Sequence, residues 1–244
     1  MDVSALEWVV LAVAAMFAGL SKTALNGIGI LTAAMAASVL PAGESTGVVL
    51  VWLIASDVVA IRAYHAHADW SVLRRLAPAV VVGILIGAAF VSRIDMDTLR
   101  RVIGATLLAL VGLQLILGRG TLDADRRLPR WLTNAAGIAG GFTSMLANAG
   151  GPVMSLYLLN AKSAVLGFLG TTAWLFFAIN LFKLPFSIGL GLLTTDALLV
   201  AVLCLPMALL GTWLGLRVVH RLSMERFKQI VLVFTALASL NLLR

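Results

Sequence analysis

Residues 131–161 carry no charged side chain, and as one continuous helix this run would reach about 46 Å at about 1.5 Å per residue. The hydrocarbon core of a bilayer takes about 20 helical residues, so the run is too long for one crossing and too short for two. Its middle reads Gly140-Gly141 and then Asn148-Ala149-Gly150-Gly151-Pro152, where glycine and proline interrupt a helix. The economical reading is two half-helices that meet inside the membrane. Irregular backbone persists at that depth only where protein buries it or water lines it, because unpaired peptide groups cost several kcal/mol in lipid. The break is therefore expected to line a cavity.

Other uncharged runs cover residues 8–21, 23–43, 45–56, 76–92, 102–118, 163–182, 184–195, 197–216 and 229–243. Charged residues make up 12% of the chain and hydrophobic ones 61%, against about 25% charge in a soluble domain. The chain reads as an all-α, polytopic integral membrane protein, which excludes a soluble enzyme, a disordered chain and a secreted scaffold. Its single cysteine, Cys204, forms neither an intrachain disulfide nor a dithiol pair. The formal charge of +7 fits membrane loops that keep Lys and Arg on the cytoplasmic side, and nucleic acid is not an expected partner. Met1-Asp2 and Glu7 precede the first apolar run, whereas a cleaved signal needs a positive start, so a retained first segment is expected.

The layout of the long run recurs in the first half. A shift of 122 residues brings Gly19 onto Gly141, Asn26 onto Asn148, Gly29 onto Gly151 and Trp52 onto Trp174. A shift of 128 aligns Pro78 with Pro206, Gly83 with Gly211, Gly87 with Gly215, Arg93 with Arg221 and Met96 with Met224. This is an internal repeat of about five segments per half, about ten in all. An odd count makes the second copy enter from the opposite side, so the repeats are inverted. The expected division of this single membrane domain is residues 1–118, a linker at 119–130 and residues 131–244. Alternation from an outside N-terminus puts Lys22, Arg62, Arg74, Arg75, Arg119, Arg126, Arg127, Arg130, Lys162, Arg217, Arg221, Arg226 and Lys228 inside. It leaves Arg93, Arg100, Arg101, Lys183 and Arg244 outside. That bias favours both termini outside the cytoplasmic membrane and a cytoplasmic linker.

Inverted repeats with Gly-interrupted segments at matching positions are the architecture in which secondary transporters place a midplane binding site. Helix N-termini present unpaired N–H groups and about half a positive charge, which favours an anion. Segments opening after Asn26-Gly27-Ile28-Gly29 and after Asn148-Ala149-Gly150-Gly151-Pro152 would both aim such ends at the centre. Alternatively, these glycines simply let helices approach. Lys22 is a site lysine if the two opening segments form a re-entrant hairpin and a loop lysine if both span. Lys183, after Asn180 and before Pro185, either serves the site or snorkels to the interface. Asp57, an acid in an apolar segment, either pairs with Arg62 or carries a proton. His65, His67 and Asp69 fall short of a specific metal site, since His67 leaves the face shared by the other two. The pairs Gly83/Gly87 and Gly211/Gly215 read as helix contacts. No phosphate-binding loop, Gly-x-Ser-x-Gly element or His-Glu-x-x-His motif is present in the sequence, and no enzyme is expected.

The stretch Gly19-Leu-Ser-Lys-Thr-Ala-Leu-Asn-Gly-Ile-Gly, with Gly141-Phe-Thr-Ser-Met-Leu-Ala-Asn-Ala-Gly-Gly-Pro-Val-Met-Ser-Leu-Tyr-Leu-Leu, resembles the sulfite exporter TauE/SafE family. Asp57 with Arg62 and Tyr64, Asp69-Trp70, Pro78 before Gly83, and Asn180-x-x-Lys183 before Pro185 fit the same family. The resemblance spans nearly the whole chain. It implies a permease for small anions, often sulfur-containing ones such as sulfite, sulfonates or sulfoacetate. Family members commonly carry a Gly-x-Pro-Gly-x-Gly pattern where this chain has Asn26, a departure that makes its two half-sites more alike.

The expectation is thus a secondary anion transporter working by alternating access, with no cofactor. Its substrate contacts are Lys22, Asn26, Gly27, Gly29, Ser144, Asn148, Gly150, Gly151, Pro152, Asn180 and Lys183, and Asp57 and Arg62 switch or couple. Its partners are a small anion and the lipid bilayer, and a homodimer is the assembly allowed. The alternatives are a metal or other cation permease using His65, His67 and Asp57, and a membrane-embedded enzyme or structural subunit.

Overall fold

The computed structural model describes residues 4–24, 28–117, 130–159 and 165–218. Among them the chain is helical: α1 (Ala5–Thr23), α2 (Gly29–Val39), α3 (Ala42–Tyr64), α4 (Trp70–Val91), α5 (Met96–Leu117), α6 (Arg130–Ala147), α7 (Gly151–Leu159), α8 (Val165–Gly189) and α9 (Thr195–Val218). A single 3-10 turn, His65–His67, joins α3 to α4. Helices at Ala5–Thr23, Ala42–His67, Trp70–Val91, Leu166–Gly189 and Thr195–Arg217 are long and apolar enough to cross a membrane. The expected linker at 119–130 lies outside the described residues except for Arg130, which begins α6, and the expected last segment at 229–243 lies wholly outside them.

Local chemistry fixes several ends. The Ser4 hydroxyl accepts from the Glu7 amide while the Glu7 carboxylate accepts from the Ser4 amide, a reciprocal box that starts α1. Asp69 starts α4 by accepting from the Ser71 and Val72 amides, and its own amide donates to Thr171 Oγ1 at 2.9 Å, tying the turn to α8. The uncharged run at 131–161 does divide, into α6 and the nine-residue α7. The break falls at Asn148, whose φ of 53° lies in the left-handed region, a conformation asparagine tolerates better than most residues.

One boundary differs from the sequence reading. The runs at 163–182 and 184–195 are not separate segments: α8 passes through Lys183 and Pro185 without ending. A charge ends a membrane segment only if it must reach water, and Lys183 is fully buried.

The helices cross where side chains are absent. A Cβ on Gly19 would strike the Ala208 carbonyl, and one on Gly211 the Met16 carbonyl, so α1 and α9 pack backbone to backbone. Gly83 on α4 meets Ile138 of α6 in the same way, and Gly141 on α6 meets Val80 of α4. The pairs Gly83/Gly87 and Gly211/Gly215 are the helix contacts their spacing predicts. Two apolar clusters fill the space between: one gathers α1, α3 and α9 around Trp52, the other α4, α5, α6 and α8 around Leu76, Ile103 and Leu146. Trp52 lies in the first with its indole N–H donating to the Ala201 carbonyl at 2.9 Å. Leu199, Val202 and Leu203 on α9 and Val82, Leu85 and Ile86 on α4 are exposed, as a lipid-facing surface requires.

Candidate functional site

Both helix breaks open on one cavity. Its lining includes Ser21 and Lys22 at the end of α1, Gly29 and Ile30 at the start of α2, and Asn148, Ala149 and Gly151 at the junction of α6 and α7. Leu53 of α3 and Phe176 and Asn180 of α8 close the remaining sides. The volume is ≈ 20 Å³, about the room one ordered water needs. Ile28 precedes α2 and supplies no side-chain cap, so the first N–H groups of that helix have no such acceptor. A Cβ on Gly29 would meet nothing closer than Ser21 Oγ at 3.8 Å. Helix packing therefore does not explain glycine there.

Among the described residues three buried charges lie around this cavity: Lys22, Asp57 and Lys183. Lys22 Nζ pairs with Asp57 Oδ1 at 2.8 Å and stands 4.6 Å over the Phe176 ring, a favourable face for a cation. Asn180 Nδ2 donates to the second Asp57 oxygen at 2.6 Å. Asp57 thus meets Lys22 and Asn180, not Arg62, which is exposed and apart from the cavity. The expected Asp57–Arg62 pairing is corrected by geometry: Lys22 and Asp57 face each other from α1 and α3, whereas Arg62 lies in the last turn of α3.

Lys183 neither snorkels nor lines the cavity. It lies behind the wall, and its Nζ donates to the Ser144 carbonyl at 2.8 Å, to Ser144 Oγ at 3.2 Å and to Asn148 Oδ1. The Asn148 amide nitrogen donates to the Thr46 carbonyl at 2.9 Å, which fixes its oxygen as the acceptor for Lys183. Three acceptors match the three protons of an ammonium group, and the C-terminal end of α6 favours positive charge at that place. Lys183 is linked to the cavity through Ser144 and Asn148.

Of the residues expected at a site, Lys22, Gly29, Asn148, Gly151, Asn180 and Ser144 line the cavity, and Asp57 and Lys183 stand directly behind it. Gly150 packs tightly against the Gly140 carbonyl instead. Asn26 and Gly27 lie outside the described residues, as does the side chain of Pro152. Ser21, Ile30, Leu53, Ala149 and Phe176 are additions. Phe176, Asn180 and Lys183 stand four and seven positions along α8, one helical face, and Leu53 stands one turn before Asp57. Those spacings are the signal that would have found Phe176 and Leu53.

His65 and His67 are exposed, and no group of three or more His, Cys, Asp or Glu that could hold a metal is present among the described residues. In comparison with known proteins, the family model described as Sulfite exporter TauE/SafE matches residues 11–242. No curated protein and no solved structure matches.

Proposed function

Because the chain belongs to the sulfite exporter TauE/SafE family, we propose that it is a secondary transporter of the cytoplasmic membrane that carries small sulfur-containing anions by alternating access. Sulfite, sulfonates and sulfoacetate are the expected class. The observation that carries this reading is the sign of the buried charge: two lysines against one carboxylate around a cavity that both helix breaks enter. A buried charge is expensive unless it is matched, and an anion matches this set. The metal or cation alternative lacks that support, since His65 and His67 face outward and Asp57 is held by Lys22.

A cavity of about one water's room supports alternating access, since the two broken segments would have to part to admit a larger anion. An inverted repeat supports that motion. The observed partnerships of α1 with α9 and of α4 with α6 exchange with one another under the 122- and 128-residue shifts. Both termini outside is the preferred orientation. With the buried Lys22 and Lys183 set aside, twelve basic residues lie inside against four outside.

The test is flux of sulfite and of an alkanesulfonate through purified protein in proteoliposomes. Saturable flux that falls at least tenfold in Lys22→Gln, with normal membrane insertion, is expected. Unchanged flux in that variant removes Lys22 from the site.

A further inference from the structure

The buried charges also bear on the valence of the cargo. Each helix break sets one C-terminal end beside one N-terminal end, so the partial charges of the helix ends largely offset. The whole charges then decide the balance. Counted by formal charge, Lys22 and Lys183 against Asp57 leave one positive charge among these three buried residues. Asp57 is ion-paired to Lys22 through Oδ1 and accepts from Asn180 at Oδ2, and it stands behind the wall while Lys22 reaches the cavity itself.

An entering anion therefore competes with Asp57 for Lys22. We infer that the site binds a singly charged anion while Asp57 remains ionised, and that a doubly charged anion is carried only together with one proton, which Asp57 takes from water as Lys22 turns to the anion. The balance is simple: monoanion with ionised Asp57, or dianion plus one proton with neutral Asp57, each leaves the loaded site uncharged. The Asn180 amide can serve both states, because its oxygen accepts from a protonated carboxyl as readily as its nitrogen donates to an ionised one.

Charged groups facing Asp57 are Lys22 from α1 and Lys183 from α8. Helix α2 contains no ionisable residue, and those of α5 (Asp97, Arg100, Arg101) stand in its first two turns. On α9, Asp196 and Arg217 stand near its ends, and Cys204 packs in the apolar cluster with Trp52 and Leu53.

This inference rests on the anion-permease reading, and its test separates the two. Proteoliposomes holding the full chain are given methanesulfonate, a fixed monoanion, or sulfoacetate, a dianion at neutral pH, with internal pH and membrane potential recorded. Methanesulfonate flux should respond to potential and ignore a pH gradient. Sulfoacetate flux should bring one proton per anion, carry the same single net charge and run on a pH gradient alone. In Asp57→Asn the proton movement should vanish, and preference should shift at least tenfold toward sulfoacetate. The double variant Lys22→Gln with Asp57→Asn restores one net positive charge and should return the preference toward methanesulfonate. Sulfoacetate flux without proton movement in the wild-type protein overturns the inference alone, as does an unshifted preference in folded Asp57→Asn. Flux of neither anion overturns the permease reading and this inference with it.

Discussion

Asp57 has no exposed surface, and its carboxylate is matched by Lys22 and Asn180. Asp57→Ala would leave the Lys22 ammonium buried without its counter-charge, so a loss of about 3–5 kcal/mol is expected, read as lowered thermal stability in detergent. Asn148 separates its backbone role from its amide role. Asn148→Gly keeps the left-handed φ of 53° without strain and should fold but lose transport. Asn148→Val places a β-branched residue there and should fail to fold, as size-exclusion chromatography would record. Outside the spans, the Ser71 hydroxyl foremost, with the Val72 and Ser71 amides, holds the Asp69 carboxyl below its ordinary value. The sign follows: this cap contributes fully above the unfolded carboxylate value and is lost as pH falls through the lower folded one. Asp69→Ala should cost about 1 kcal/mol at neutral pH, and thermal melts of the two proteins should converge on acidification. At this scale the sequence marks Lys22, Asp57, Asn148 and Asn180 by their chemistry. It cannot mark partners, because Lys22 reaches Asp57 across 35 positions of chain, whereas Arg62 looks nearer along it.

Helix boundaries are legible where glycine and proline state them and illegible where burial overrides a charge. The stretch after Ala147 announces itself by its glycines and proline, whereas the caps at Ser4 and Asp69 emerge only in the structure. Lys183 reads as a stop, yet α8 continues to Gly189 because Ser144 and Asn148 on other elements satisfy its ammonium group. The crossings make a sharper prediction, since the same residue type has opposite roles on different helices. Gly211 lies against the Met16 backbone, whereas a Cβ on Gly112 in α5 would touch nothing within 4 Å. Gly211→Leu should therefore part α1 from α9 and abolish folding. Gly112→Ala should raise stability by about 0.5–1 kcal/mol through lower chain entropy, with melting of the purified protein as the measurement.

For the molecule as a whole, two broken segments and the buried residues Lys22, Asp57 and Lys183 come together at one cavity. The break at Asn148 was legible because an uncharged run of that length has no other membrane solution, and its sharing a cavity with Gly29 agrees with the 122-residue alignment of Gly29 with Gly151. The walls given by Phe176 and Leu53 were not, since apolar residues in an apolar chain carry no label until their neighbours are placed. The central claim is that both breaks face one anion-binding space. It is tested most directly by single cysteines at Gly29 and at Ala149 in a Cys204→Ala background, labelled in membranes with a water-soluble thiol reagent. The account predicts that both positions react and that methanesulfonate protects both over the same concentration range. Protection of one position without the other, or of neither while both react, would contradict it.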